Sequence, residues 1–231
     1  ERRAAGERMN AMILAAGRGT RMRPLTDDCP KPLLAVGGRA LIDWHLHALA
    51  AAGFGRVVIN IAWQGAALQR HVGDGDRYGL AIRYSDEGAH ALETAGGIAR
   101  ALPLLGPAPF VVINGDIHTD YPLDRLELRD GDLARLVLVD NPRQHPRGDF
   151  ALAGDRVTHD GDRRLTFAGI GVYRPALFRG LPARALRLAP ILDRAIEQGL
   201  VGGEHYRGDW HDIGTPERLR ALDARLNAAV P

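Results

Sequence analysis

The sequence predicts an α/β fold, in which a Rossmann-like, mostly parallel central sheet carries helices on both faces and a smaller antiparallel cap occupies the second half. Two observations predict this class. Short apolar runs alternate with amphipathic segments through the first 140 residues, and such alternation is typical of parallel sheets. After residue 140 the alternation stops, and short strand-like segments with tight turns follow it.

The predicted strands are short apolar runs, as expected of strands that are buried on both faces of a sheet. They lie at 11–16, 56–62, 80–85, 110–116 and 134–139. The segments between them repeat apolar residues at three- and four-residue spacing, which indicates helices. These helices are predicted at 41–53, 64–72, 93–102 and 122–129, with two more at 188–199 and 216–229. Thr215 is the expected N-cap of the last helix, because Pro216 suits a first helical position.

The chain contains no repeat and no convincing linker, so we interpret residues 9–231 as a single domain. Residues 9–140 would form its core, and residues 141–231 would form the cap and the closing helices. Met9 offers a natural start. Residues 1–8 are polar, and we interpret them as an upstream or vector-derived segment.

The composition excludes several classes of protein. Apolar residues make up 45% and charged residues 25% of the chain, the usual shares for a globular domain. The net charge is only +2, without a polybasic block, so no nucleic-acid partner is expected. No apolar run approaches the roughly 18 residues of a membrane helix, and the single cysteine, Cys29, allows no internal disulfide. We expect a cytoplasmic protein that has no membrane partner and acts as a monomer.

The stretch AGRGTRMRPLTDDCPKPL, residues 16–33, follows the first predicted strand and holds the only lysine of the chain, against 29 arginines. Ligands bind beyond the carboxyl ends of parallel strands, where glycine lets backbone N–H groups approach a phosphate. The spacing matches neither the GxGxxG dinucleotide motif nor the GxxxxGK[ST] P-loop. Lys31 lies between two prolines that restrict its backbone, so it is either a positioned cation or a chance survivor among arginines.

Two acidic segments follow apolar runs that are far apart in the chain. Asp116 ends the run VVINGD, where an unpaired buried carboxylate would be costly. Asp212 lies in GDWHDIGTPERL, close to Asp209. Each aspartate could equally be a turn or helix-capping residue. His118 and His211 lie nearby, but no cluster has the spacing of zinc ligands, so we interpret both histidines as pocket wall or surface.

The segment LAAGRGTRMRPLTDDCPKPL resembles the signature of the sugar-1-phosphate nucleotidylyltransferases, LAAGxGTRxxPLT followed by PKP, at every fixed position. The resemblance covers the chain from Met12 to Leu226 and implies the GT-A-like nucleotidyltransferase fold. The resemblance implies that residues 9–140 form the nucleotide-binding core and that residues 141–231 form the sugar-binding cap and the closing helices. It also implies nucleotide contacts from the start of this segment, at Leu14, Ala15, Ala16, Gly17, Arg18, Gly19 and Thr20; residues 14–33 are here called the signature loop.

The same resemblance assigns the chemistry to four charged residues. Arg21 would face the departing pyrophosphate, and Lys31 would approach the reacting phosphates. Asp116 and Asp212 match the paired ligands of the family for Mg²⁺, an ion that takes carboxylate oxygens together with substrate phosphate. Sequence positions so far apart say nothing by themselves about whether the two carboxylates meet, so this pairing depends on the resemblance.

Substrate contacts are implied as well. Glu87 and Thr94 are expected at the nucleobase, and Asn114, Gly148 and Gly169 at the sugar. Several relatives carry an asparagine where this chain has Phe167, which indicates a sugar other than the usual hexosamine.

The implied reaction moves a uridylyl group from UTP to a sugar-1-phosphate. Segments such as LETAGGI and GEHYRGDWHDIGTPERL are most similar to those of family members that act on N-acetylmuramic acid α-1-phosphate in peptidoglycan recycling. Glucose, mannose or heptose phosphates, or phosphocholine, are alternative substrates for the same motifs. A catalytically inactive nucleotide-sugar sensor is an alternative of another class, although it would be expected to lose Lys31, Asp116 or Asp212.

Overall fold

The computed structural model describes residues 9–228, and it confirms the α/β class. A mixed sheet of nine strands forms the centre, in the order β5-β4-β1-β6-β11-β8-β12-β10-β9. The strands are β1 (Asn10–Leu14), β2 (Ala35–Val36), β3 (Arg39–Ala40), β4 (Arg56–Ile61), β5 (Ala81–Asp86), β6 (Phe110–Asn114), β7 (Ile117–Thr119), β8 (Ala134–Val139), β9 (Phe150–Ala153), β10 (Arg156–Thr158), β11 (Arg164–Tyr173), β12 (Val201–Tyr206) and β13 (Trp210–Asp212). The helices are α1 (Leu41–Ala51), α2 (Gly65–Val72), α3 (Glu93–Leu105), α4 (Ala189–Glu197) and α5 (Pro216–Ala228).

Parallel pairing is confined to two parts of the sheet. Strands β5, β4, β1 and β6 run parallel to one another, and so do β8 and β12. The long strand β11 joins the two parts by antiparallel pairing with β6 and β8. The predicted antiparallel segments β9 and β10 continue the same sheet beyond β12, and β9 also pairs antiparallel with β11, so this end of the sheet closes on itself. The division at residue 140 stays a prediction, and residues 1–8 and 229–231 lie outside the described residues.

Helices cover both faces of the sheet. Successive side chains of a strand point to opposite faces, so one strand contributes apolar residues to a core on each face. On β1, Ala11 and Ile13 pack into one core with the apolar residues of α1 and α2. Met12, between them, packs into the other core with those of α3 and α4. A third, smaller core joins Met22 of the signature loop to α5 through Leu219. The sheet therefore fixes the start of the signature loop, and α5 holds its far end.

Most of the predicted elements are present, and one is wrong. The segment 122–129 forms only a short 3₁₀ turn, Leu123–Arg125, and not the expected helix. Leu123 and Leu126 are both buried, and a three-residue spacing is satisfied by one such turn. Leu126 then takes an extended backbone conformation that ends it. None of the helices in residues 9–228 is both long enough and apolar enough to cross a membrane.

Candidate active site

The candidate site lies where the order of the parallel strands reverses. The chain passes from β1 to β4 and β5 on one side and then returns to β6 on the other side of β1. Crevices at the carboxyl ends of such strands are the usual ligand sites of open α/β sheets. A cavity of about 230 Å³, here called the strand-end cavity, opens at this point. Its walls include the predicted residues Leu14, Ala15, Ala16, Gly17, Lys31, Glu87, Thr94, Asn114 and Asp116.

A chain of buried hydrogen bonds fixes the wall of the strand-end cavity. Glu87 Oε1 accepts a hydrogen bond of 2.7 Å from Asn60 Nδ2, and Asn60 Oδ1 accepts one of 2.6 Å from the backbone N–H of Ala15. Glu87 Oε2 accepts a bond of 2.6 Å from the backbone N–H of Leu92, ahead of α3. A side chain on Gly97 would collide with Glu87 Oε1, so this glycine leaves room for the carboxylate.

Sequence reasoning missed Asn60, which connects Glu87 to the signature loop. The available signal was an asparagine inside the apolar run VVINI, because a buried amide needs hydrogen-bond partners. Asn60 is only 3% exposed. Its position at the end of β4 places it beside the ends of β1 and β5, where the partners lie.

The glycines of the signature loop shape a second cavity. This loop cavity, about 200 Å³, is lined by Gly17, Gly19, Thr20, Arg21, Met22, Lys31, Asp116 and Gly214. Gly19 has a φ of 65°, a conformation that favours glycine, and its carbonyl accepts a hydrogen bond of 2.8 Å from Thr26 Oγ1. Arg18 is placed differently, because its guanidinium stacks over the ring of Trp63 at 4.3 Å.

Lys31 lies between the strand-end cavity and the loop cavity and lines both. It is 8% exposed, and its Nζ donates a hydrogen bond of 2.6 Å to Asp116 Oδ2. A Cβ on Gly19 would lie 3.2 Å from Lys31 Cβ, so the stem of the lysine fills the space that this glycine leaves. The only lysine of the chain is therefore a positioned, buried cation and not a solvated one.

The structure brings Asp116 and Asp212 together, although 96 positions separate them in the sequence. Strands β7 and β13, which follow Asp116 and end at Asp212, pair antiparallel with Asp212 opposite Ile117. The backbone N–H of Ile213 donates a hydrogen bond of 2.8 Å to the carbonyl of Asp116. Both aspartates line a third cavity of about 260 Å³, here called the central cavity. Sequence alone gave no sign of this pairing, since neither strand is long or strongly apolar.

The two carboxylates have a donor set that suits a divalent cation. One oxygen of each binds a cationic side chain, Lys31 for Asp116 and Arg218 for Asp212. Within the described residues the other oxygen of each, Oδ1, has no hydrogen-bond partner. Residues 9–228 contain no group of three or more metal-ligating His, Cys, Asp or Glu side chains. Substrate phosphates and water would therefore have to complete the coordination of a cation held here.

A layer of histidines lies behind the carboxylates. His118 packs edge-on against Trp44 at 5.1 Å between ring centroids and lies 6.3 Å from the ring of His211. Burial and then the neighbouring His118 lower the pKa of His45 to about 4, and burial also lowers the pKa of His118. Both therefore stay neutral at pH 7. His118 is buried, so it is not a surface residue, and it does not line the cavities described here.

The predicted sugar-contacting residues divide between wall and support. Asn114 lines the central cavity together with Gly169 and Phe167. A Cβ on Gly169 would approach Asn114 Nδ2 to 2.6 Å, so the glycine positions the asparagine. Gly148 does not line the cavities described here; it takes a φ of 63°, and a Cβ there would lie 2.7 Å from Asn141 Oδ1.

A fourth cavity, about 460 Å³, continues from the central cavity toward α4. The two share Asn114, Asp149 and Phe167, and this α4 cavity adds Arg187 and the first turn of α4. Asp149, which sequence reasoning missed, accepts hydrogen bonds from the backbone N–H of Phe167 at 2.8 Å and pairs with His145 at 2.9 Å. A continuous series of cavities thus runs from the signature loop, past the carboxylates, to α4.

Comparison with known proteins places this arrangement in context. A family model described as "Nucleotidyl transferase" matches residues 10–143. N-acetylmuramate alpha-1-phosphate uridylyltransferase of Neisseria meningitidis is 49% identical to this chain. The match covers 95% of this chain and 99% of that protein. The protein of the same name from Caulobacter vibrioides is 36% identical, with 95% and 97% of the two chains covered. A solved structure described as a putative glucose-1-phosphate thymidylyltransferase from Bacillus anthracis superposes with a TM-score of 0.82 at 19% identity, over 95% of both chains.

Proposed function

The chain belongs to the nucleotidyl transferase family, and from that premise we propose that it transfers a uridylyl group from UTP to N-acetylmuramic acid α-1-phosphate. One observation carries the chemistry: Lys31, Asp116 and Asp212 meet between the loop cavity and the central cavity. The substrate is proposed from the printed names of the two relatives, which match this chain over nearly its full length. The products would be UDP-N-acetylmuramic acid and pyrophosphate, in the cytoplasm and in peptidoglycan recycling.

The nucleotide would occupy the strand-end cavity and the loop cavity. Glu87 and Thr94 wall the first of these and would contact the base. Backbone N–H groups of residues 17–20 would surround the triphosphate in the second, since such loops bind phosphate oxygens. Arg21, on the wall of the loop cavity, would neutralise charge on the pyrophosphate as it departs.

The sugar-1-phosphate would enter from the central cavity, so that its phosphate reaches Asp116 and Asp212 and its ring lies over Asn114 and Gly169. One of its phosphate oxygens would form a bond to the α-phosphorus of UTP. The bond from that phosphorus to the bridging oxygen of the pyrophosphate would break in line. Because no covalent intermediate with the chain is needed, positioning and charge neutralisation would supply most of the catalysis.

The two carboxylates would hold Mg²⁺, whose preference for carboxylate and phosphate oxygens fits the free Oδ1 atoms described above. Bound Mg²⁺ neutralises phosphate charge and orients the reacting groups. Lys31 would stay beside Asp116 and present its ammonium to the α-phosphate, where charge rearranges in the transition state.

The test is pyrophosphate release by the purified chain with a panel of nucleoside triphosphates and sugar-1-phosphates. We expect the highest kcat/KM with UTP and N-acetylmuramic acid α-1-phosphate, above that with N-acetylglucosamine-1-phosphate. A preference for dTTP with glucose-1-phosphate would overturn the proposed base and sugar and leave the transfer chemistry standing. Asp116→Asn should abolish release, and the exposed Asp124→Asn serves as the matched control with activity retained.

A further inference from the structure

Arg187 is an exposed cation on the wall of the α4 cavity, the largest of the four cavities described here. It lines the α4 cavity of about 460 Å³ with Phe167 and Asp149. Among the described residues it makes no salt bridge and no hydrogen bond through its guanidinium. Most of the other charged side chains bordering these cavities are engaged: Lys31 binds Asp116, Arg218 binds Asp212, and Asp149 binds His145.

The backbone on both sides of Arg187 is fixed. The carbonyl of Leu186 accepts hydrogen bonds from the N–H groups of Ala95 and Gly96 in α3, at 3.0 and 3.3 Å. Leu188, on the other side, is buried and accepts the first hydrogen bonds of α4, from Ile191 and Leu192, at 3.0 Å each. Arg187 is thus held between the starts of two helices, at a set place on the cavity wall.

The α4 cavity extends away from the carboxylates. Asp116 and Asp212 line the central cavity but not the α4 cavity, whereas Asn114 and Phe167 line both. A sugar whose phosphate lies at the two aspartates would pass over Asn114 and Phe167 and point its far side at Arg187. An arginine suits a carboxylate there, because its planar fork matches two carboxylate oxygens.

We infer that Arg187 binds a second anionic group on the sugar-1-phosphate, a carboxylate attached to the ring away from the phosphate-bearing carbon. This inference rests on the proposed function, because N-acetylmuramic acid carries such a group, the lactyl ether on C3, and N-acetylglucosamine lacks it. The first residue of α4, Ala189, also lines the cavity, and the positive end of the helix dipole favours an anion there.

Two carboxylates, those of Asp149 and Glu93, also line this cavity. Neither forms an ion pair or a hydrogen bond with Arg187. Asp149 is engaged by His145 and by the backbone N–H of Phe167. Glu93 lies at the border between the α4 cavity and the strand-end cavity, in a left-handed conformation with φ 55°. These negative charges would repel a substrate carboxylate that lay near them. The carboxylate would therefore be favoured only beside Arg187.

The experiment compares Arg187→Ala and Arg187→Lys with Arg194→Ala, an exposed arginine on α4 itself. Three substrates are used: N-acetylmuramic acid α-1-phosphate, its lactyl methyl ester, and N-acetylglucosamine-1-phosphate. For Arg187→Ala we expect kcat/KM with the first to fall roughly 10- to 100-fold, as for one lost charged hydrogen-bonding pair. The loss should appear mainly in KM, because the carboxylate is remote from the reacting atoms.

The same variant should leave kcat/KM for the methyl ester and for N-acetylglucosamine-1-phosphate within about twofold of wild type. Arg187→Lys should recover part of the loss, and Arg194→Ala should change nothing. An equal effect of Arg187→Ala on all three substrates, or no effect on any, would overturn the role of Arg187 and leave the proposed function intact. A wild-type chain that uses other sugar phosphates but not N-acetylmuramic acid α-1-phosphate would overturn both. Thermal melts of the variants separate either result from misfolding.

Discussion

The hydrogen-bonded polar groups on the wall of the strand-end cavity are buried, whereas the pair formed by His145 and Asp149 on the wall of the central cavity is partly exposed. Glu87 and Asn60 are 7% and 3% exposed, and their hydrogen bonds connect the ends of three parallel strands. On the other side, the side chains of His145 and Asp149 are 41% and 36% exposed, and both belong to the loop that follows β8. Buried hydrogen bonds are expensive to break, whereas exposed pairs contribute little.

This difference indicates a division of labour within one site. The rigid side suits the part of the reaction that does not vary, the binding of a nucleoside triphosphate. The side made of loops can change its residues without disturbing the sheet, which suits the recognition of different sugars. The two sides meet at Lys31, Asp116 and Asp212, so substitutions at this junction should have the largest effects.

The largest loss is expected for Asp116→Asn and Asp212→Asn. Each should lower kcat at least about 100-fold, because each removes one charge from a shared cation site. The double variant should be little worse than either single one, since neither carboxylate works alone. Steady-state kinetics over a range of Mg²⁺ concentrations provides the measurement. Near wild-type turnover in either single variant would refute the assignment of both residues.

Lys31→Ala should lower kcat by roughly 100- to 1000-fold, the usual effect of removing one positioned electrostatic group. Lys31→Arg should recover only a part of this loss. The stem of Lys31 fits against Gly19, and a guanidinium is wider than an ammonium and binds phosphate oxygens as a fork. Kinetics at saturating Mg²⁺, with thermal melts to detect unfolding, test this pair. If Lys31→Arg keeps the wild-type kcat, a lysine is not required at this position, and its retention among 29 arginines has no functional meaning.

Glu87→Gln and His145→Ala compare the two sides directly. Both oxygens of Glu87 accept hydrogen bonds, so an amide in its place must leave one buried donor unsatisfied, at a cost of about 1–3 kcal/mol. His145→Ala removes an exposed pair and should cost less than about 1 kcal/mol. Urea unfolding at pH 8 measures both. Equal costs would mean that the two sides do not differ in rigidity.

The smallest effect concerns the layer of histidines beneath the junction. The pKa of His45 is lowered to about 4, whereas in the unfolded chain it is about 6.5. The neutral side chain therefore supports folding fully above pH 6.5, and this support is lost as the pH falls toward 4. Between pH 7.5 and 5.5 the free energy of unfolding should drop by about 1 kcal/mol from this residue. His45→Gln should remove that dependence, whereas the exposed His47→Gln should keep it; identical pH profiles would contradict the assignment.

The sequence was sufficient where local patterns determine structure. The run at 134–139 coincides with β8, and Thr215 caps α5 through a bond of 3.4 Å from the N–H of Arg218. The signature loop was located because its residues are contiguous. The approach of Asp116 to Asp212 was beyond local patterns, since it depends on two three-residue strands that pair only in the folded chain. Asp149 and Arg187 were missed for the same reason, because short loops bring them to the cavity.

The pairing of β7 with β13 also sets the order in which the site is completed during synthesis. The signature loop leaves the ribosome among the first segments, yet Met22 packs against Leu219 and Leu222 of α5, and Asp116 gains its neighbour Asp212 just before α5. At the usual rates of translation, the residues between Met22 and Asp212 take roughly 10–40 s to appear. The parallel strands β1, β4, β5 and β6 are therefore synthesised well before the site is complete, whereas β12 of the sheet and β13 of the site follow one another near α5. Turnover should begin only when α5 has docked.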